Sequence, residues 1–296
     1  MEIGDWTTSA ELNRVYRDAR DLGLETNLAE LEAFGFTIIP PQKVSEDALV
    51  SRMLSATIDL CEEMDRAGAG LSTPLGSECD YARILYALIS RAEVFGEAVM
   101  HPLALTLGRY LTGASCRLFT TAGFVKKGKA TSTQLHTDTA GTPPPLYPYG
   151  LVCNISWLLT DYTEENGTFA IVPGSHRYCR HPTATEQPKV MGGSAADNCI
   201  PIIAPRGSIV AFNGNTWHGT YPKKNDALRA HFAIAYCRNY MMQGERFDDV
   251  FPAHLEAYGD ELAHLLGRDT WQGYDAAGPR SSALQSIWRS NFSPGA

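Results

Sequence analysis

Paired cysteines are missing from this sequence. Its seven cysteines are odd in number, widely separated and never arranged as Cys-X-X-Cys. This pattern argues against a zinc ribbon and a disulfide framework, because both depend on cysteines at short, recurring spacings. We therefore expect free thiols in a reducing compartment, and a cytoplasmic protein.

A basic excess and long apolar runs are also missing. The 33 acidic residues outnumber the 25 basic ones and give a formal net charge of −8 at pH 7. Such a surface would repel nucleic-acid phosphates and anionic membranes. No stretch approaches the roughly 18 apolar residues of a membrane span, and Met1 to Arg20 lacks the regions of a signal peptide. We expect neither a nucleic-acid nor a membrane partner.

The chain does contain enough apolar material for one sizeable core. Of its 296 residues 44% are hydrophobic, and no internal repeat, low-complexity tract or linker divides them. We predict a single domain over residues 1–296, with a mostly helical part at 1–114, a β core at 115–240 and a helical tail at 241–296. A homodimer is left open.

Helical patterns dominate the N-terminal part. A short helix is predicted over Asn27 to Phe34, followed by a strand from Phe36 to Pro40. Ser45 is a candidate N-cap for the next helix, and a further helical stretch runs from Tyr81 to Leu111. Pro102 divides that stretch into two helices.

Short strands separated by turn residues follow from Ser115 onward. The predicted strands are Arg117 to Val125, Leu151 to Leu159, Thr168 to Val172, Ile200 to Ala204, Ser208 to Phe212 and Arg229 to Cys237. Many short strands at this spacing indicate a sandwich, barrel or jelly roll rather than a parallel sheet. The tail returns to helix, most clearly over Val250 to Leu266. We predict an α+β fold with a mainly β jelly-roll core and flanking helices.

A His-X-Asp motif lies in the middle of the β region, at His136 and Asp138. Residues two apart on an extended segment project to the same side, so both side chains can converge on one ion. His218, after the strand Ser208 to Phe212, is the third candidate ligand. Two imidazoles and one carboxylate form the facial triad of iron(II) oxygenases, whereas zinc prefers a tetrahedral set. Singly, each residue is more commonly structural; their combination indicates a metal site.

Arg229 lies eleven residues after His218 and opens the last predicted strand. A planar guanidinium can bind a carboxylate through two parallel hydrogen bonds, which suits the distal carboxylate of a metal-bound 2-oxo diacid. An ordinary surface arginine at a strand edge is equally compatible with the sequence. His231, two residues further on the same face, is interpreted as a residue of the core or of the site's surroundings rather than a ligand.

These residues resemble the phytanoyl-CoA dioxygenase family of iron(II)- and 2-oxoglutarate-dependent oxygenases. The resemblance extends from Leu31 to about Arg238, and its most specific part is Asp161 to Arg177, DYTEENGTFAIVPGSHR. The family implies a double-stranded β-helix, a cupin-like jelly roll. It also implies iron(II) and 2-oxoglutarate as the metal and the co-substrate.

The resemblance also implies individual roles. Iron would be bound by His136, Asp138 and His218, and Arg229 would form a salt bridge to the distal carboxylate of 2-oxoglutarate. Thr168 matches a position that can support the co-substrate through its hydroxyl, while a β-branched residue facing the core is an equal alternative.

Gln134 is a further candidate for co-substrate binding. It precedes His136 by two residues, whereas some relatives carry a co-substrate-binding glutamine at minus three, where this chain has Thr133. His176, Trp157 and Trp217 are candidates for the substrate pocket. For these three a role in a turn or in the core is the more common alternative.

The implied reaction is the oxidation of a small organic substrate by O2, with 2-oxoglutarate converted to succinate and CO2 and with stimulation by ascorbate. Hydroxylation is the expected outcome, and desaturation, epoxidation and ring formation are alternatives. We expect a substrate of secondary metabolism rather than an acyl-CoA, because the sequence shows no basic cluster for CoA phosphates. Lys126, Lys127 and Lys129 are interpreted as a solvated turn.

Other function classes stay open at this point. A non-catalytic, cupin-like protein could bind a small ligand in the barrel, and a zinc-dependent hydrolase or isomerase could use the same three ligands. A halogenase is disfavoured, because in halogenases of this fold chloride takes the place of the carboxylate and here Asp138 is present.

Overall fold

The computed structural model describes residues 10–72, 78–139 and 141–268, and two short strands at 274–275 and 278–279. The helices of this part are α1 (Ala10–Asp21), α2 (Glu25–Phe34), α3 (Pro41–Val44), α4 (Asp47–Arg66), α5 (Val94–Val99), α6 (Pro102–Thr112) and α7 (Pro252–Leu265). The strands are β1 (Phe36–Ile39), β2 (Cys79–Leu85), β3 (Arg117–Ala130), β4 (Thr133–His136), β5 (Val152–Leu158), β6 (Phe169–Ile171), β7 (Ile200–Pro201), β8 (Ile209–Asn213), β9 (His218–Thr220), β10 (Arg229–Cys237), β11 (Tyr274–Asp275) and β12 (Gly278–Pro279). Among the described residues, no helix is long and apolar enough to cross a membrane.

Two antiparallel sheets form the core of the described chain. The larger has the order β1-β8-β5-β10-β3-β2, and the smaller has the order β4-β9-β6-β7. Spatial neighbours are far apart in sequence, as in the Greek-key connections of a jelly roll. The predicted jelly roll with flanking helices is confirmed, and β1 and β2, from the part predicted to be mostly helical, both join the larger sheet.

Alternate residues of β10 face two different environments. Phe232, Ile234 and Tyr236 point outward and join the apolar core that includes the helices, with Phe95 of α5 packed 4.8 Å from Phe232 between ring centroids. The residues between them line a cavity on the other face of the sheet. Because side chains alternate along a strand, the sheet separates the apolar core from this cavity.

The N-terminal part differs from the sequence prediction at Tyr81. Cys79–Leu85 forms strand β2 instead of the beginning of a helix, and it pairs with β3 at the edge of the larger sheet. This short segment mixes apolar and charged residues and fits either structure, and here the hydrogen-bonding partner offered by β3 decides. The predicted division at Pro102 is confirmed, because α5 ends at Val99 and α6 begins at that proline.

Ser45 is not the N-cap that the sequence predicted. It ends α3 in the left-handed conformation, with φ 55° and ψ 31°, and its hydroxyl donates to the Gln42 carbonyl at 2.8 Å. The next helix, α4, begins at Asp47 after Glu46. The prediction was wrong because the short helix that begins at Pro41 already uses Ser45 as its end.

Two strands differ in length from the prediction. Ile200 to Ala204 contributes only Ile200–Pro201 to the smaller sheet, since prolines at 201 and 205 restrict its pairing. β3 continues beyond Val125 to Ala130, so the lysines predicted to form a turn lie on a strand. The predicted tail helix is confirmed as α7, and most of the sequence beyond Arg268 lies outside the described residues.

Candidate metal centre and co-substrate site

A cavity of about 600 Å³ lies between the two sheets. Its walls come from the inner faces of β3, β5, β8 and β10 on one side and from β4, β6 and β9 on the other, with β2 at the edge. The three candidate metal ligands and Arg229 all line this cavity. The fold therefore places residues that are nearly a hundred positions apart around one enclosed space.

The pairing of β4 with β9 brings the two candidate histidines together. His136 and His218 are register partners, and their ring centroids are 4.2 Å apart. Asp138 follows β4, and its backbone N–H donates to the Gly214 carbonyl at 2.9 Å. One carboxylate oxygen lies 3.7 Å from His136 Nε2 and the other 3.4 Å from His218 Nε2. The possible ligand atoms of the three residues lie within 4.8 Å of one another.

Backbone carbonyls orient both imidazole rings. His136 Nδ1 is 2.9 Å from the Gln134 carbonyl oxygen, and His218 Nδ1 is 2.9 Å from that of Thr216. A carbonyl oxygen can only accept, so Nδ1 carries the proton and Nε2 is left with its lone pair towards Asp138. Burial, and then the neighbouring His218, lower the pKa of His136 to about 4. The ring is therefore neutral near pH 7, as a metal ligand must be.

Asn154 holds the carboxylate of the triad. Its side-chain amide, on β5, donates to Asp138 Oδ2 at 2.6 Å. Outer hydrogen bonds of this kind fix the orientation of a metal-binding carboxylate. The sequence did not indicate Asn154, because its role depends on the position of β5 across the cavity from β4.

Arg229 is a buried cation whose guanidinium is incompletely bonded. Arg229 is 5% exposed, and its Nη1 has no hydrogen-bond partner within the described part of the chain. Burial lowers its pKa, and its guanidinium lies 5.7 Å from the centre of the Tyr162 ring. A buried arginine with an unused donor is costly unless an anion binds it, so this end of the cavity suits a carboxylate.

His231 lines the cavity without joining the metal-ligand group. Tyr162 contacts its Nδ1 at 2.6 Å, and its ring stacks on Phe124 with 4.8 Å between centroids. Burial, and then the charges of Arg229 and Lys126, lower the pKa of His231 to about 3. It is therefore a neutral wall residue.

Thr168 and Gln134 do not meet Arg229 at the cavity wall. Thr168 is fully buried and its hydroxyl donates to the Ile202 carbonyl. Gln134 is exposed and faces a separate groove. Thr133 and Thr220 line the cavity instead, with their hydroxyl oxygens 2.7 Å apart. The irregularity between β4 and β9 explains this placement, because it alters which β4 residues face inward.

The candidate pocket residues Trp157, Trp217 and His176 lie away from the cavity wall. Trp157 faces the helices in the main core. Trp217 donates from Nε1 to the Arg180 carbonyl at 2.9 Å, and the guanidinium of Arg180 lies over the Trp217 ring at 4.7 Å from its centroid. His176 is buried beside Gly35, where an added Cβ would lie 2.5 Å from its Nδ1. Each fills a packing position, as large side chains in turns and strands commonly do.

Comparison with known sequences identifies the family. The model of a family described as Phytanoyl-CoA dioxygenase (PhyH) matches residues 42–231. "Dioxygenase af480" of Aspergillus fumigatus is 26% identical over 259 residues, which cover 83% of this chain and 77% of the relative. "Dioxygenase aneA" of Aspergillus aculeatus is 26% identical over 218 residues, covering 70% and 67%.

Solved structures share the fold. HygX from Streptomyces hygroscopicus, solved with nickel and 2-oxoglutarate bound, has a TM-score of 0.58 and 19% identity, covering 76% of this chain and 93% of its own. The epimerase SnoN, solved with Fe3+, alpha ketoglutarate and nogalamycin RO, has a TM-score of 0.59 and 18% identity, covering 78% and 91%. At these identities the likeness establishes the jelly roll.

Proposed function

The chain belongs to the phytanoyl-CoA dioxygenase family and is an iron(II)- and 2-oxoglutarate-dependent dioxygenase, and we propose that His136, Asp138 and His218 bind its iron while Arg229 binds the co-substrate. One observation carries this assignment: three ligand atoms converge within 4.8 Å in the same cavity that buries the unused Nη1 of Arg229.

The donor set fits the metal and the co-substrate. Two imidazoles and one carboxylate on one side of an ion suit iron(II), because they leave adjacent positions for other ligands. The buried guanidinium fits the second carboxylate of a diacid. When bound, iron and 2-oxoglutarate activate O2 and supply the oxidising chemistry, with succinate and CO2 as co-products.

The chain's own residues supply binding and orientation. Asn154 fixes the rotation of the Asp138 carboxylate, and the two backbone carbonyls fix the rings of His136 and His218. Arg229 would bind and orient the distal carboxylate of the diacid. The two sheets line the space on both sides, and the burial of His218 and Arg229 strengthens their electrostatic contacts.

We further propose a small organic substrate from secondary metabolism. Apolar side chains, among them Phe119, Phe124 and Val152, cover a large part of the cavity wall and suit a carbon skeleton. SnoN is described as an epimerase from nogalamycin biosynthesis, which fits such a substrate class. Hydroxylation is the proposed outcome, because Asp138 occupies the position that chloride takes in halogenases.

Anaerobic titration tests the metal and co-substrate assignment. Iron(II) followed by 2-oxoglutarate should produce a weak visible absorbance band with the wild-type protein, and Asp138→Ala should abolish it. Asp249→Ala removes an exposed carboxylate and should leave the band unchanged.

Succinate release under O2 with candidate substrates then measures turnover. Loss of one charged metal ligand is expected to reduce it at least about a hundredfold in Asp138→Ala. Full turnover in that variant would refute the ligand set, and zinc-dependent activity without O2 would favour a hydrolase.

A further inference from the structure

Lys126 places a second buried cation beside Arg229. It lies on β3 as the direct register partner of Arg229 on β10, and each of the two residues is 5% exposed. Both line the cavity. Lys127, the next residue on the strand, is exposed. The interpretation of these lysines as a solvated turn was therefore wrong for Lys126, because β3 extends to Ala130 and turns this side chain inward.

The two cations raise the local positive potential. Directly opposed residues on neighbouring strands have Cβ atoms about 5 Å apart, and like charges at such positions repel. Burial, and then the charge of Arg229, lower the pKa of Lys126 to about 8. An anion between them would reverse both effects, since it compensates two buried charges at once.

Arg83 and Asp138, which also line the cavity, both have bonded partners. Arg83 on β2 is 4% exposed, but its terminal nitrogens bond the Asp65 carboxylate and the Gly70 carbonyl. Asp138 is the only acidic residue among the described residues that line the cavity, and Asn154 bonds it at the metal site. His231 is neutral, because its pKa is about 3. The end of the cavity at Lys126 and Arg229 is thus built for negative charge.

Given the proposed function, we propose that Lys126 and Arg229 bind the same distal carboxylate, so that this end of the cavity selects a dicarboxylic 2-oxo acid over a monocarboxylic one. Arg229 supplies directional hydrogen bonds through its planar group, and Lys126 supplies a compact second charge. Lys126 is a specificity-determining residue in this arrangement and takes no part in the chemistry at the metal.

The test compares two co-substrates in anaerobic titrations of the iron(II)-loaded protein. 2-Oxobutanoate has the same metal-binding end as 2-oxoglutarate but lacks the distal carboxylate. Lys126→Met keeps the apolar stem and removes the charge, and Lys127→Met is the matched control on the same strand. Loss of a charge-assisted contact should weaken 2-oxoglutarate binding about tenfold to a hundredfold in Lys126→Met. Binding of 2-oxobutanoate should change less than about twofold.

Several outcomes overturn the inference. The inference fails if Lys126→Met binds 2-oxoglutarate as tightly as the wild-type protein does. It also fails if the variant loses affinity for both acids equally, because that result would indicate a structural role for Lys126. Should that variant fail to fold, the pair Lys126→Arg and Lys126→Gln decides, because only the arginine should preserve the preference for the diacid. Failure of the wild type to bind 2-oxoglutarate would instead refute the proposed function itself.

Discussion

Several polar side chains around the cavity are bonded to a neighbour from another segment of the chain. Asp138 accepts from Asn154, His231 contacts Tyr162, and the hydroxyls of Thr133 and Thr220 meet. Buried polar groups are stable only when such bonds are satisfied, and the bonds restrict rotamers. The residues that would face bound molecules are therefore held in place before binding.

His231 should make the stability of the protein sensitive to acid. Its pKa is about 3 in the folded protein, against about 6.5 in an unfolded chain. The unfolded state therefore binds the proton first, so stability present above about pH 6.5 is lost as the pH falls towards 3, by at most about 1.4 kcal/mol per pH unit. Urea unfolding at about pH 7 and about pH 5 measures this loss.

His231→Gln is the matching variant for that measurement. Glutamine can still bond Tyr162 but does not titrate, so the difference in unfolding free energy between the two pH values should shrink. An unchanged pH dependence in the variant would assign the acid sensitivity to other groups.

Among individual residues, spacing along the sequence identifies the candidate metal ligands but not the residues that support them. His136, Asp138, His218 and Arg229 are identified by spacing along the chain. Asn154 and Lys126 are not, since their roles arise from cross-strand register: Lys126 faces Arg229 only because β3 and β10 pair in that alignment. Trp157 shows the converse, because strand alternation turns a plausible pocket residue towards the helices.

The antiparallel pairing of β4 with β9 is the element on which the proposed metal centre depends. Gly219 lies between the two strands, where an added Cβ would be 2.5 Å from the Thr133 carbonyl oxygen and 3.0 Å from that of Gln134. Both neighbours are backbone atoms, so they cannot move aside by changing rotamer. The absence of a side chain at this position allows His136 and His218 to approach.

Gly219→Ala should therefore separate the strands. We expect iron(II) affinity to fall at least about tenfold and the protein to lose about 1–3 kcal/mol of unfolding free energy, as in other overpacked sites. Metal titration and urea unfolding measure the two effects. Gly141→Ala is the control, because nothing lies within 4 Å of its added Cβ. If Gly219→Ala bound iron(II) as tightly as the wild-type protein, the strands would accommodate the added methyl group without displacing the candidate ligands.

The elements themselves were unevenly predictable. Six strands after Ser115, namely β3, β5, β6, β7, β8 and β10, follow from composition and neighbouring turn residues, whereas β4 and β9 are not among the predicted strands. β2 was not predicted either, since Cys79–Leu85 mixes apolar and charged residues and becomes a strand only when β3 offers its edge.

For the molecule as a whole, the proposed iron site links the two sheets indirectly. His136 and His218 lie on the smaller sheet, while Asn154, which holds Asp138, belongs to the larger one. A ligand that binds only the folded protein stabilises it by RT ln(1 + c/Kd) at a free ligand concentration c, so the stabilisation grows with the logarithm of that concentration. Iron(II) should therefore stabilise the entire fold.

Removal of the metal should lower the melting temperature. Anaerobic iron(II) at about a hundred times its Kd corresponds to about 2.7 kcal/mol, which raises the melting temperature by several degrees, and a chelator should reverse the rise. Asp138→Ala should show little of this response, and Asp249→Ala should show all of it. Equal responses in the two variants would mean that the stabilising ion binds elsewhere.

The overall architecture was the most predictable property, because a jelly roll needs only short strands, apolar faces and turns. The position of the cavity was less predictable from the sequence, because it results from how the two sheets pack together rather than from any one segment.

The bonds from His136 and His218 to the carbonyls two residues before them have a consequence for how such proteins diverge. Those carbonyls belong to Gln134 and Thr216, but every amino acid offers the same oxygen. Mutation at either position leaves the ring anchored. A lineage built on this scaffold is therefore free to exchange the side chains around the cavity, and with them its substrates, while inheriting the same metal chemistry.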